Sequence, residues 1–262
     1  MYQFAANLTT LFTEVPFLER FKKAKDSGFT HVEFQFPYAF SPEQIKQKLH
    51  EYELKTVLFN LPPGNWEQGD RGIAILPSRR EEFEESVEQA IRYARELKCN
   101  KLHCMAGILP EGTKKEVALS AYKDNLRFAA EQLHKHGLTL VIEPINTFDM
   151  PGYLLSNLGQ AVEMIHELKM PNLKLQFDFY HIQRMQGELL NSFKQHKGSI
   201  AHIQIADNPG RHEPGTGEIH YENVFTFLEK EGYEGFVGLE YNPSGNSEKS
   251  LAWLEKLKKD RM

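Results

Sequence analysis

The 262-residue chain is 40% hydrophobic and 26% charged, enough apolar residue to build a sizeable core in one large domain or two small ones. Its formal net charge of −5 excludes a general attraction to nucleic acid or to an anionic membrane, so an anionic ligand would need local cations. Two cysteines, Cys99 and Cys104, make neither a disulfide framework nor a zinc knuckle. No run nears the roughly 18 apolar residues of a membrane span. The first residues carry no basic lead, and a reducing cytoplasm is the expected location.

Short β-branched or aromatic runs alternate with longer segments of helical period. Strands are expected over 2–7 and 31–36, with a helix between them that stops at Ser27-Gly28. A third strand, 56–61, leads into a long connection, 62–80, that holds Trp66 and Arg71. Phe83, Val87, Ala90, Ile91, Ala94 and Leu97 then draw one apolar helical stripe ahead of a strand over 101–105. Leu119, Tyr122, Leu126, Ala129 and Leu133 draw the next, stopped at His136-Gly137 before a strand over 139–143. Leu158, Ala161, Val162, Ile165 and Leu168 precede a strand over 174–178. The last two strands are expected at 201–206 and 236–241, separated by a second long connection, 207–220, that carries Arg211 and His212, and by a helix that stops at Glu231-Gly232. Eight alternations without a linker, a repeat or a break in composition predict an α/β fold, a single (β/α)8 TIM barrel over 1–262. An open doubly wound sheet is the alternative, but no G-x-G-x-x-G follows the first strand.

Glu143, Asp178, Gln204 and Glu240 stand at or near the C-terminal ends of strands five to eight, in VIEPIN, LQFDFYH, HIQIAD and GLEYNP. In a closed parallel barrel those ends share one rim, the rim that carries active sites. Any one acid there would read as a helix cap or a surface ion pair, whereas four at matching positions describe a metal site. The set offers oxygen alone, which favours Mg2+ or Mn2+ over Zn2+, and no acidic loop of the calcium kind is present. A metal there can polarise an adjacent carbonyl and hydroxyl together. Glu143 and Glu240, on the flanking strands, suit removal and return of a proton, leaving Asp178 and Gln204 as ligands only. His181, three residues after Asp178, is placed to hydrogen-bond a substrate oxygen, with a structural role as the plain alternative. Arg211 and Arg71 are candidates for bidentate carboxylate recognition, or else solvated loop charges. Trp66 reads as a lid side chain or a loop anchor. Asn7 and His103 read as pocket floor or as packing.

These segments resemble the xylose-isomerase-like TIM barrels and, within them, the hydroxypyruvate isomerase family. The likeness runs through FAANLTTLF, NLPPGNWEQGDRGIA, IEPIN, FDFYHIQ, HIQIAD and PGRHEPGTGEI. It implies metal ligation by Glu143, Asp178, Gln204 and Glu240, with Glu143 and Glu240 as the acid/base pair. It also implies interconversion of hydroxypyruvate and 2-hydroxy-3-oxopropanoate through an enediolate, with a small 2-oxo acid as partner and neither nucleic acid nor membrane. Exposed helices of such barrels often pair, so a homo-oligomer is an expectation. Ketose 3-epimerases of this fold carry histidine where Gln204 stands, which argues against a ketohexose epimerase. The four-carbon homologue 2-oxotetronate remains open as substrate. A DNA-repair endonuclease on this fold would need a His-rich zinc cluster and a basic face. A non-catalytic binding barrel would be free to lose the rim acids.

Overall fold

The structure, a computed structural model, describes residues 2–260. Eight strands form it: β1 (Gln3–Asn7), β2 (His31–Glu33), β3 (Lys55–Asn60), β4 (Lys101–His103), β5 (Thr139–Ile142), β6 (Leu173–Asp178), β7 (Ile200–Ile205) and β8 (Phe236–Leu239). Each pairs in parallel with the next, and β8 closes on β1. This is the (β/α)8 barrel that the alternation predicts. Parallel neighbours need a crossover, and each crossover here is helical. In order these are α1 (Phe17–Asp26), α2 (Pro42–Glu51), α3 (Arg80–Leu97), α4 (Lys115–His134) and α5 (Leu158–Leu168), then the pair α6 (Phe179–Met185) and α7 (Leu189–His196), then α8 (Tyr221–Lys230). The short α9 (Ser247–Ser250) and α10 (Ala252–Asp260) follow β8.

Local chemistry sets the helix limits. α2 begins with a capping box: Ser41 accepts from the Gln44 N–H, and the Gln44 side chain accepts from the Ser41 N–H, with Pro42 at the first helical position. The stops at Gly28 and Gly137 have φ of 83° and 68°, a conformation that costs glycine little. On α3 the stripe from Phe83 to Leu97 is buried, as its period demands. The stripes of α4 and α5 also face the barrel, with Leu119 only half-buried. Among the described residues no helix is long and apolar enough to cross a membrane.

Two zones make up the interior. Most apolar side chains lie between the strands and the helices, including Phe21, Phe59, Phe83, Phe177, Phe193 and Phe225. A small second cluster of Ala5, Val57, Leu58 and Val141 lies apart from them. In β6 through β8 and β1, one register tier reads Asp178, Gln204, Gly238 and Ala5, two large polar residues beside two small ones.

Six of the eight strands end short of the sequence expectation, β3 at Asn60 and β7 at Ile205 by one residue each. β4 ends at His103 rather than 105, β5 at Ile142 rather than 143, and β8 at Leu239 rather than 241. β2 ends at Glu33 rather than 36, with a register irregularity between Val32 and Glu33. Ladder pairing runs out where neighbouring strands diverge into loops. Glu143 and Glu240 therefore sit one residue beyond their strands, on backbone free to turn toward the axis.

Candidate metal centre

All four rim residues are buried: Glu143, Asp178, Gln204 and Glu240. The parallel register puts Asp178 beside Gln204. Glu143 and Asp178 come together with His181, each offering one ligand atom, all within 4.8 Å of one another. Glu143 Oε1 and Asp178 Oδ2 are buried without a hydrogen-bond partner. Two orphaned, buried carboxylate oxygens are costly unless a cation or a proton satisfies them. Oxygen donors of this kind fit a hard divalent cation. The imidazole of His181 faces the same space, its Nε2 3.6 Å from Asp178 Oδ2.

Gln204 is held from two sides. Its Oε1 accepts from Gln176 Nε2 at 2.6 Å, and its Nε2 donates to Glu33 Oε1 at 2.7 Å. A carbonyl oxygen keeps a second lone pair after one such bond, so ligation stays open to it. Glu33 also accepts from Asn7 Nδ2 at 3.0 Å and pairs with His202 Nε2 at 2.6 Å. Asn7 bridges onward to Glu240 Oε1 at 3.1 Å, where Gln35 Nε2 donates as well, also at 3.1 Å. Arg211 Nη2 meets the other Glu240 oxygen at 2.7 Å. Glu240 is thus tied to a guanidinium and two amides, while Glu143 has His103 Nε2 at 3.8 Å.

Electrostatics follow the same division. Burial pushes Glu143 well above the ordinary carboxylate range, and the Asp178 and Glu240 charges push the same way. Burial raises Asp178 to about 7, with Arg211 opposing and Glu240 adding. Glu240 is raised by burial too, against the pull of Arg211. His181 is driven well below its usual value by burial and by nearby Arg211. His103 falls to about 3, chiefly through burial. Three carboxyls that resist joint ionisation, beside two neutral imidazoles, make a site that gains most from an added positive charge.

The loop after β7 is braced by Asp207, whose carboxylate accepts the backbone N–H groups of Asn208, Gly215, Gly217 and Ile219 at 2.8–3.0 Å. That brace presents Arg211, in a left-handed conformation with φ of 55°, to Glu240. His212 instead anchors the loop through Nδ1 and the Asn242 carbonyl, 2.7 Å apart. In the loop after β3, the Arg71 guanidinium lies 3.8 Å from the Trp66 ring centre and donates to the Trp66 and Asp70 carbonyls. Those contacts hold Arg71 within its own loop rather than on a rim acid. Trp66, 37% exposed, packs against Phe36 with ring centres 5.0 Å apart. No sequence motif marks Glu33, Gln35, Gln176, His202, Asn146 or Asp207 as part of this arrangement. A period-two signal was available for several: Gln176 and His202 each precede a rim residue by two, and Glu33 precedes Gln35 by two.

A closed parallel barrel whose C-terminal rim gathers buried acids able to hold a cation defines the xylose-isomerase-like class, and the family model described as Xylose isomerase-like TIM barrel matches residues 21–257. The chain belongs to that family and, within it, to the group that includes the hydroxypyruvate isomerase of Escherichia coli K12, with which it is 48% identical over 97% of this chain and 99% of that protein. It is 42% identical to the 2-oxo-tetronate isomerase of Pectobacterium atrosepticum, covering 97% of each chain. A crystal structure from Brucella melitensis, described as an AP endonuclease of family 2, superposes with a TM-score of 0.95 at 45% identity, over 98% of this chain and 99% of that one.

Proposed function

We propose that this isomerase interconverts a small 2-oxo acid bearing a hydroxyl on C3 with its 3-oxo isomer, hydroxypyruvate (whose isomer is an aldehyde) being the first choice and 2-oxotetronate (whose isomer is a ketone) the second. The observation that carries the reading is the pair of orphaned, buried carboxylate oxygens on Glu143 and Asp178, in a chain nearly half identical to a hydroxypyruvate isomerase. Glu143, Asp178, Gln204 and Glu240 would hold a divalent cation, Mg2+ or Mn2+. Such an ion supplies Lewis acidity to an adjacent carbonyl and hydroxyl.

This chain's residues do the rest. One of Glu143 and Glu240 takes a proton from C3, and the other returns a proton to C2 of the enediolate. The hydroxyl proton passes from O3 to O2. One C–H bond breaks and one forms, so no redox partner is required. Because the reaction is reversible, the two carboxyls exchange acid and base roles with direction. Arg211 is the cation for the substrate carboxylate: its Nε is buried and unpartnered while Nη2 engages Glu240. The braced loop fixes where that carboxylate lies, and hence which carbon faces Glu240.

The test is a panel of hydroxypyruvate and 2-oxotetronates, each assayed with EDTA and with added Mg2+ or Mn2+. Turnover of one substrate class that EDTA abolishes and the metal restores is expected. Full activity in EDTA would overturn the metal assignment. Zinc-dependent cleavage of abasic DNA without isomerase activity would overturn the substrate class; the net charge of −5 and a cluster with one histidine oppose that reading.

A further inference from the structure

Asn146 follows β5 and is fully buried. An asparagine amide has two donor hydrogens and two acceptor lone pairs, and all four are used here. Oδ1 accepts from the backbone N–H of Phe148 at 3.1 Å and of Asp149 at 2.9 Å. Two backbone donors settle which end of the amide is oxygen. Nδ2 therefore donates, to Asp149 Oδ2 at 3.0 Å and to His181 Nδ1 at 2.7 Å. The Asn146 backbone N–H points at the same Nδ1, 3.4 Å away. Asp149 is pinned in turn by the Tyr180 hydroxyl at 2.7 Å, so the amide cannot rotate without losing several bonds at once.

An Nδ1 that receives two N–H donors carries no proton, and the ring must carry its proton on Nε2. Nε2 is the nitrogen on the side of the acids. A metal-ligating histidine does the reverse: it donates from its far nitrogen to an oxygen and offers a lone pair to the ion. His181 receives at its far nitrogen. We infer that Asn146 is a positioning residue that locks His181 as the Nε2–H tautomer, so that His181 meets the reacting molecule as a hydrogen-bond donor to oxygen and not as a metal ligand. What that donor serves rests on the isomerase reading: a proton-bearing nitrogen beside Asp178 suits the oxygen on which charge develops in the enediolate.

The test is nitrogen-15 NMR of the full chain labelled at histidine, with the His181 signals identified by their loss in His181→Gln. In the wild type, Nδ1 is expected in the unprotonated range and Nε2 in the protonated range. In Asn146→Asp, which keeps the oxygen that accepts from both backbone N–H groups and loses both side-chain donors, the proton is expected to move to Nδ1. Turnover is then expected to fall on the order of 10²-fold in kcat with a smaller change in KM. Zinc affinity measured by calorimetry is expected to rise, because a lone pair now faces the acids. A wild-type ring protonated on Nδ1, or an unchanged tautomer in Asn146→Asp, overturns the inference, and the wild-type spectrum decides even if the variant does not fold. The expected tautomer without isomerisation of any 2-oxo acid overturns the functional reading alone.

Discussion

Gly238→Ala is the most informative single change outside the acids. Gly238 shares its tier with Asp178 and Gln204, and a methyl built on it runs into the Glu33 carboxylate. That carboxylate cannot swing aside cheaply, because it holds Asn7 at 3.0 Å, Gln204 at 2.7 Å and His202 at 2.6 Å. Overpacking costs about 1–3 kcal/mol, and a buried polar group left unsatisfied costs about as much again. A loss of about 3 kcal/mol lowers Tm by roughly 6 °C at this chain length. Gln204 would lose one of its two orienting bonds, and such outer-shell losses weaken metal binding about 10- to 100-fold. Thermal melts without metal and Mn2+ calorimetry measure the two effects. Gly238→Ala combined with Glu33→Ala closes a double-mutant cycle: the pair is expected to be less destabilised than the sum of the two singles. A Gly238→Ala protein melting within about 1 °C of wild type, with unchanged Mn2+ affinity, would refute the reasoning.

Glu143→Gln and Glu240→Gln are each expected to keep the wild-type circular dichroism spectrum while losing at least about 10²-fold in kcat; near-normal turnover in either would sink the two-carboxyl mechanism. Arg211→Met is expected to raise KM for the 2-oxo acid more than it lowers kcat, since it removes the substrate's counter-ion; an unchanged KM would point to another cation. Because burial raises Asp178 to about 7 from an ordinary 3.8, the folded protein holds a proton there between those values that the ion must displace. Metal affinity is therefore expected to climb as pH rises through about 7 and then level off, with proton release seen below that point by calorimetry in buffers of different ionisation enthalpy. The same raised value favours the metal-free fold below pH 3.8 and withdraws that contribution as pH rises through about 7.

Much of the architecture was legible because its signals are local and periodic. The β-branched runs, the helical stripes and the glycine stops at 28 and 137 each report on a few neighbouring residues. Strand ends were overrun by one to three residues because apolar character persists past the last ladder bond, as in Phe34 after β2 and Tyr241 after β8. At the rim, the burial of Glu143, Asp178, Gln204 and Glu240 at the strand ends agrees with their positions in the sequence. What escaped was the layer that aims them. Glu33 is 26 residues from Asn7 and 171 from Gln204, so nothing nearby in the chain marks it as their partner. Nothing beside Asn146 in the chain marks it as a partner of His181. Its hold on His181, 35 residues away, exists only in three dimensions. Arg71 and Arg211 are both rim-loop arginines in sequence, with Arg211 the better candidate, and loop geometry separates them: one stacks on Trp66, the other reaches Glu240.

The two zones of the interior bear on how such a protein can be tuned. Inside the barrel, Glu33, His202, Gln176, Gln204 and Asn7 hold one another with bonds that would also aim the ligands of a bound cation, so a change there would move cohesion and ion placement together. In the phenylalanine-rich zone between strands and helices, side chains such as Phe193 and Phe225 make ring contacts with other aromatic residues and answer chiefly to packing. Adaptation to heat or cold therefore has an open route through the outer zone, by volume-conserving exchanges at positions such as Phe193 or Phe225. The inner network can drift only by coordinated replacement. Laboratory evolution for thermostability should accumulate its substitutions on the helices' inward faces and leave the strand interiors almost untouched.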